Sequence, residues 1–342
     1  MDLVEFARTD VKVSPLCLGA MNFGTPGWGC DARAAAEILR VYRDAGGNFI
    51  DTANIYGGGE SERILGSLLA GTRDEVIVAS KVGFPSPSGG PSGLSPANIR
   101  TSLEGTLQRL GTDYLDLYQL HAFDPTVGLD DTLGALHGLV EAGLVRHAGC
   151  SNFFVWQIAS ADALARARSW PPLVSAQMMY SLVRRDIERE HIGYAQQFGI
   201  ALIAYGPLHG GQLASAWRTR EELPPDSRAV ANPDVYLSDE ARVFAVTEAL
   251  VAHAEQIGAT PGQVALAWVI RNPAITATLT AARSGDELRA QLAALTLDAD
   301  ADFWASLDRA TAMPASYPAD FYDRLTRRNT QQPLHNADRG QR

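Results

Sequence analysis

The sequence predicts an α/β fold, a closed (β/α)8 barrel of the TIM-barrel type, with an N-terminal hairpin and a C-terminal extension. Three observations carry this. Eight short apolar, β-branched-rich segments recur along the 342 residues. Helical stretches separate them, at about 30 residues per strand–helix unit, the length a parallel crossover needs. Several segments, VIVAS and IALIAY among them, are apolar at nearly every position, as strands buried on both faces are. The competing doubly wound sheet usually opens with GxGxxG after its first strand. Here that strand meets GAMNFGTPGWG, and no P-loop occurs.

Taken in order, the first strand spans 13–19, or else it belongs instead to a small N-terminal hairpin with VEFAR that plugs the barrel floor. A helix over 32–45 follows, capped by Asp31 and stopped by Gly46-Gly47. Strand 48–52 leads to a helix over 61–69, and strand 75–81 to a helix opened by Ser95-Pro96 and closed by Gly111. Strand 114–121 precedes a helix over 132–142, strand 145–150 one over 154–168, and strand 173–179 one over 188–198. Strand 200–205 precedes helices over 238–257 and 262–270, the second capped by Thr260-Pro261. Strand 275–279 and a helix over 284–295 complete the eighth unit.

Three regions break the rhythm. The loop 83–93 (GFPSPSGGPSG) and the long connection 207–234 both follow strand C-termini, the barrel face where active sites form. The segment 327–342 (RRNTQQPLHNADRGQR) is polar and patternless and reads as a disordered or loosely docked tail. The division that results is one domain over 1–325 and a tail over 326–342.

The charge balance, 29 Lys+Arg against 39 Asp+Glu, gives a formal net charge of −10. Long-range attraction to nucleic acid or an anionic membrane is not expected. MDLVEFARTD has acids where a secretory leader needs bases, and no apolar run reaches about 20 residues. Cys17, Cys30 and Cys150 lie far apart and form no CxxC, so neither a disulfide framework nor a cysteine-rich zinc site is expected. Without HExxH, and with His137, His147, His191 and His253 on helices or surfaces, no metal site is expected either. A cytoplasmic protein is the expectation.

Ionisable residues gather at the strand ends. Asp51 closes the second strand and Tyr56 stands in the loop after it, before Gly57–Gly59. Lys81 ends the third strand and His121 the fourth; Ser151, Asn152, Gln177 and Tyr205 follow on the next three. A barrel collects these on one rim, and buried charges are costly unless paired. Taken singly, each has a plain structural reading: a core-capping ion pair, a packed loop aromatic, a satisfied histidine, a ligand-free turn. Taken together, Asp51 positions Lys81, and the ammonium is expected to pull the Tyr56 phenol down toward working pH, leaving His121 to hydrogen-bond a substrate oxygen. No serine or cysteine stands beside them as a nucleophile. The chemistry is polarisation of a carbonyl with a proton delivered to oxygen, and hydride from a nicotinamide is the simplest source for its carbon.

The stretches LCLGAMNFG (16–24), DTANIYGGGESERILG (51–66), ASKVG (79–83), RLGTDYLDLYQLHAFD (109–124), GCSN (149–152), QMMYSLVRRDIE (177–188) and YGPLHGGQL (205–213) resemble the aldo-keto reductases. The likeness is strongest to the bacterial branch related to potassium-channel β subunits and aryl-alcohol dehydrogenase-like reductases, and it runs from about residue 2 to 325. It implies a (β/α)8 barrel binding extended NADPH/NADP+, and a catalytic tetrad at Asp51, Tyr56, Lys81 and His121, with Tyr56 the general acid. It implies that Ser151, Asn152 and Gln177 hold the carboxamide, that Tyr205 stacks on the nicotinamide, and that Gly206, Pro207, Leu208, Gly210 and Leu213 cradle the pyrophosphate. Gly19, Met21 and Asp51 are further cofactor contacts, and Arg283 faces the 2′-phosphate. Ala281, Glu287 and Gln291 stand where the family commonly has Gly, Gln and Asn, and Ala216 where it often has Lys. With that cation lost and Glu287 added, relaxed cofactor choice that admits NADH is the expectation.

The partner so implied is a small-molecule carbonyl, either an aromatic or medium-sized aldehyde or a keto-sugar-like ketone. Met21, Asn22, Phe23, Trp28, Phe84, Phe123, Phe153 and the 213–236 loop are the expected pocket walls, with Tyr56 and His121 at its base and Asn54 and Asn22 leaving room for hydroxyls. Channel β subunits keep the same tetrad, so a cofactor-binding regulatory or structural protein is the alternative function. A homo-oligomer is left open.

Overall fold

The structure, a computed structural model, describes residues 1–85, 92–225, 227–315, 317–322 and 324–325. The stretch 86–91 of the glycine- and proline-rich loop and the expected tail 326–342 lie outside the described residues. Contacts divide the chain into two compact units, Met1–Thr311 and Ala312–Arg342. The single domain expected over 1–325 thus compares with a barrel unit ending at Thr311. Within the second unit, Tyr322 N–H donates to the Pro318 carbonyl at 3.1 Å and Arg324 pairs with Asp320 at 2.9 Å, one turn of helix.

Two short strands, β1 (Val4–Glu5) and β2 (Lys12–Val13), form an antiparallel hairpin ahead of the barrel. Eight parallel strands then close into the barrel. They are β3 (Leu16–Gly19), β4 (Phe49–Asp51), β5 (Ile77–Val82), β6 (Leu115–Leu120), β7 (Val145–Ser151), β8 (Leu173–Met179), β9 (Ala201–Tyr205) and β10 (Ala277–Thr280). Closure comes from β10, which pairs with both β9 and β3. The segment 13–19, expected as one strand or as part of a hairpin, is therefore both. Val13 pairs in the hairpin and Leu16 opens the barrel, with Ser14-Pro15 between them. Pro15 has no N–H to give a ladder, while Ser14 turns its N–H to Asn48 Oδ1 at 2.7 Å.

The hairpin seals the barrel floor. Phe6 and Val13 are buried with Cys17, Phe49, Ala79, Leu117, Ala201, Ile203 and Ala277, inward residues of alternating strand positions. Phe6 meets Phe49 edge-to-face at 5.6 Å. The larger apolar cluster fills the space between the strands and the surrounding helices.

The helices are α1 (Ala32–Asp44), α2 (Glu60–Leu68), α3 (Pro96–Leu110), α4 (Leu129–Glu141), α5 (Val155–Arg168), α6 (His191–Phe198), α7 (Arg228–Ala231), α8 (Pro233–Tyr236), α9 (Glu240–Gln256), α10 (Pro261–Ile270), α11 (Gly285–Leu292) and α12 (Ala301–Ala310). The expected caps are in place: Asp31 accepts from Ala34 N–H, Ser95 from Asn98 N–H, and Thr260 forms a capping box with Gln263. Two starts differ. The α4 helix begins at Leu129 instead of 132, with Asp130 and Asp131 favoured at its positive end. The α6 helix begins at His191 instead of 188, because Asp186–Glu188 forms a separate 3-10 turn. The α12 helix has no counterpart in the sequence reading; Asp300 caps it and Phe303, Trp304 and Leu307 are its buried face.

The connection after β9 is an ordered excursion. It contains 3-10 turns at His209–Ala214 and Arg220–Glu222, then α7 and α8. Leu223, Ala229, Tyr236 and Leu237 make a small core of its own, packed against Met179 at the end of β8. Replacing Phe6 by Ala should open a cavity in the sealed floor and destabilise the barrel by about 3 kcal/mol. Urea unfolding measures this, and a loss below about 1 kcal/mol would show that the hairpin is not part of the core.

Candidate active site

The strand ends place the expected tetrad together. Asp51 is the last residue of β4 and Lys81 the fifth of β5; His121 directly follows β6, and Tyr56 opens a 3-10 turn over Tyr56–Gly59. That turn needs its glycines, since Gly57, Gly58 and Gly59 all have positive φ (57, 66 and 92°). The helix behind it is anchored by buried polar groups. Ser61 Oγ donates to the Ala20 carbonyl at 2.6 Å and shares a 2.8 Å hydrogen bond with Thr52. Glu62, fully buried, accepts from Ser80 Oγ at 2.6 Å and from Arg109 Nε at 2.7 Å. Tyr56 is thus held against the strands that carry Asp51 and Lys81.

Lys81 Nζ donates to Asp51 Oδ1, to the Thr52 carbonyl at 3.0 Å and to the Tyr56 hydroxyl at 3.2 Å. Both charged side chains are 1% exposed. Burial alone would drive the Lys81 ammonium down; Asp51 and Tyr56, with the hydrogen bonds to both, outweigh it, and the net direction is up. For Tyr56 the expected lowering is not found. Burial pushes its phenol above the usual 10.0, and the pull of Lys81 does not reverse this, because Asp51 cancels much of that ammonium's charge. The phenol therefore keeps its proton at neutral pH. His121 is driven down to about 3, first by burial and then by Lys81, so its imidazole is neutral. It packs edge-on to Tyr56 at 5.9 Å and against Phe84 at 4.5 Å.

The residues assigned to the cofactor divide into groups. Gln177 Nε2 donates to Asp51 Oδ2 at 2.8 Å, so its amide is tied to the tetrad. Asn152, at φ 58°, donates to the His121 carbonyl and to Ser151 Oγ, both at 3.0 Å, and accepts from the Tyr205 hydroxyl at 2.7 Å. Ser151, Asn152, Gln177 and Tyr205 thus stand on one rim with the tetrad. The turn after Tyr205 holds Gly206, His209, Gly210 and Gly211 at positive φ, closes Leu213 N–H onto the Leu208 carbonyl at 3.1 Å, and includes Pro207. At the end of β10, Arg283 lies on Glu287, with its N–H on the carboxylate at 2.8 Å and its Nε at 3.9 Å. Gln291 Nε2 donates to the Ala281 carbonyl at 3.0 Å. Gly19 and partly buried Met21 lie where β3 leaves the barrel.

Among the expected pocket walls, Asn22 is buried and donates to the Ala282 carbonyl, tying β3 to the β10 connection. Phe84, 40% exposed, and Phe123 line a cavity of about 410 Å³ whose wall also holds Ser92, Ser95, Asp124 and Thr126 and none of the tetrad. Trp28 is partly exposed on the β3–α1 loop.

Sequence reasoning misses four residues. Gln119 Nε2 donates to Asp51 Oδ2 at 3.1 Å. Strand alternation from Lys81's register partner could have pointed it inward. Arg228 stacks over Tyr236 at 5.4 Å, and its charge is felt by Tyr56 and Tyr205; it supplies a cation to the excursion where Ala216 does not. His209 Nε2 meets the Tyr236 carbonyl at 2.9 Å. Gln212 is fully buried with neither amide atom partnered. The last three lie in a segment without periodicity.

Residues 15–312 match the family described as the aldo/keto reductase family. The chain belongs to that family. Among aldo/keto reductase relatives, it is 34% identical to the uncharacterized oxidoreductase YrpG of Bacillus subtilis (strain 168), over 90% of this chain and 95% of the relative. It is 31% identical to an aryl-alcohol dehydrogenase of Pestalotiopsis microspora, over 91% and 82%. It is 30% identical to the norsolorinic acid reductase of Aspergillus flavus, over 91% and 81%. Family membership makes the protein an oxidoreductase and supports carbonyl reduction in general. No helix among the described residues is long and apolar enough to cross a membrane.

The neutral His121 carries a pH signature. Its folded pKa, about 3, lies below the ordinary 6.5, so the unfolded chain binds a proton that the folded one refuses. Stability should fall as pH drops below about 6.5, and H121Q should lack that part of the fall. Urea unfolding at pH 7 and pH 5 should show the two proteins converging by about 1–2 kcal/mol. Parallel curves would mean the imidazole is not held neutral.

Proposed function

We propose that the protein reduces an aldehyde or ketone to an alcohol with NADPH, reversibly, Tyr56 giving the proton. The observation that carries this reading is the Tyr56 hydroxyl at 3.2 Å from the buried Lys81 ammonium, beside a neutral His121. Tyr56 stays protonated until negative charge develops on the substrate oxygen; then Lys81 stabilises the phenolate left behind. His121 orients that oxygen by a neutral hydrogen bond. The cofactor, when bound, supplies hydride from its nicotinamide C4. Ser151, Asn152 and Gln177 would hold the carboxamide, Tyr205 would stack on the ring, and the turn from Gly206 to Leu213, with Arg228 near, would receive the pyrophosphate. The fit has support in this chain: buried Gln212 and His209 Nδ1 lack partners in that turn, and such groups call for a polar ligand or water. Phe84, packed on His121 at 4.5 Å, offers an apolar face to the group carried by the carbonyl.

Cofactor choice follows from Arg283. The Glu287 carboxylate already occupies it, so its pull on a 2′-phosphate is weakened and a ribose hydroxyl finds an acceptor. Choice between NADPH and NADH should be relaxed, and E287Q should raise the NADPH-to-NADH ratio of kcat/KM about tenfold. A wild-type NADPH advantage above about a thousandfold would refute relaxed choice.

The primary test is loss of NAD(P)H absorbance with a panel of aromatic and aliphatic carbonyls. Y56F should lower kcat by about a hundredfold or more and leave cofactor affinity unchanged. Unchanged turnover in Y56F would sink the assigned mechanism. Cofactor binding without turnover of any carbonyl would point instead to the regulatory or structural role.

A further inference from the structure

Asp51 receives three side-chain donors, and Lys81 accounts for only one oxygen. The other, Oδ2, takes Gln177 Nε2 at 2.8 Å from β8 and Gln119 Nε2 at 3.1 Å from β6. Gln119 has no solvent exposure, and its Oε1 has no partner. Its orientation follows from chemistry: turned over, the amide would set one oxygen against another and leave the NH2 group unpaired. The barrel makes room for it. Gln119 pairs in register with Lys81 on one side and with Gly149 on the other. A Cβ at Gly149 would run into Ser175 Oγ and come within 3.3 Å of Gln119 Cγ.

We infer that Gln119 is a positioning residue of the proposed carbonyl reduction, holding Asp51 Oδ2 so that Oδ1 directs the Lys81 ammonium onto the Tyr56 hydroxyl. The inference rests on the reading of Tyr56 as proton donor. An Asp carboxylate held at one oxygen only can swing about its last torsion. Gln177 also reaches Oδ2, but in the proposed complex its amide is shared with the carboxamide, which leaves Gln119 as the donor dedicated to Oδ2 and to the aim of Lys81. The Lys81–Tyr56 contact, at 3.2 Å, sits at the long end of the hydrogen-bond range, where a small swing removes it. Gln119 meets Asp51 directly and pairs in register with Lys81; the other titratable groups that interact with this pair are Tyr56, His121 and the Cys17 thiol.

Q119E separates positioning from packing, since it keeps the shape of the side chain. Beside the ionised Asp51, in a buried site, the carboxyl this substitution introduces holds its proton above the ordinary carboxylate range; it donates that proton to Asp51 at low pH as the amide does, and loses it as pH rises. The variant's kcat should approach wild type near pH 5.5 and fall about tenfold or more by pH 8, with the carbonyl KM within about threefold. Q119L should lose about tenfold in kcat at every pH. Wild-type kcat and pH profile in both variants, whatever their thermal stability, would overturn the inference. Y56F, measured alongside, keeps the two ideas apart. Inactive Y56F with unaltered Gln119 variants removes only the role of Gln119, whereas fully active Y56F removes the reading on which it rests.

Discussion

The mouth of the barrel depends on one buried ion pair, Lys81 with Asp51. Taking two such charges out of water costs several kcal/mol each, and their attraction offsets this only when every remaining donor and acceptor is met. Here they are met from four directions: the Thr52 carbonyl and Tyr56 hydroxyl on the ammonium, the Gln119 and Gln177 amides on the carboxylate. The pair is close to neutral as seen by its neighbours. That is why Tyr56 keeps a proton that a lone ammonium would loosen. His121 stays uncharged for a different reason, burial first and then the residual repulsion of the Lys81 ammonium.

An arrangement this dependent on angle needs a stiff frame. The floor is sealed by aromatic packing of the hairpin, and the rim is tied by polar bonds between strand ends, Asn152 after β7 joining His121 after β6 and Tyr205 at the end of β9. The helix behind Tyr56 is fixed by Glu62, an ionisable group that the mechanism does not use and whose partners, Ser80 and Arg109, come from β5 and α3. Each of these spans two βα units, so the reactive groups share one rigid rim although their positions in the chain run from 51 to 205.

Much of this was legible in the sequence because it breaks a pattern. Asp51, Lys81 and His121 are polar residues ending apolar strands, and Tyr56 stands before three glycines that only a special turn would use. Caps announced Asp31, Ser95 and Thr260. The errors have physical causes. Ser14-Pro15 is too short a break to separate hairpin from barrel by periodicity. The spacing of Phe303, Trp304 and Leu307 is helical, yet this helix comes after the eighth strand–helix unit and so lies outside the repeat. The direction of the Tyr56 shift depends on burial and on charge cancellation by Asp51, and neither is a property of spacing. Gln119 and Arg228 acquire meaning only from partners across the barrel or within a loop without repeat.

The later part of the excursion after β9 carries a core of its own, Leu223, Ala229, Tyr236 and Leu237, packed against Met179, whereas the turn before it is fixed to the main core by Leu213. A segment with its own apolar centre behaves as a cassette. Its composition can drift, and its outline with it, while the strands beneath keep their register and the ion pair its geometry. Diversification of what enters the barrel mouth is thereby uncoupled from preservation of the reaction below.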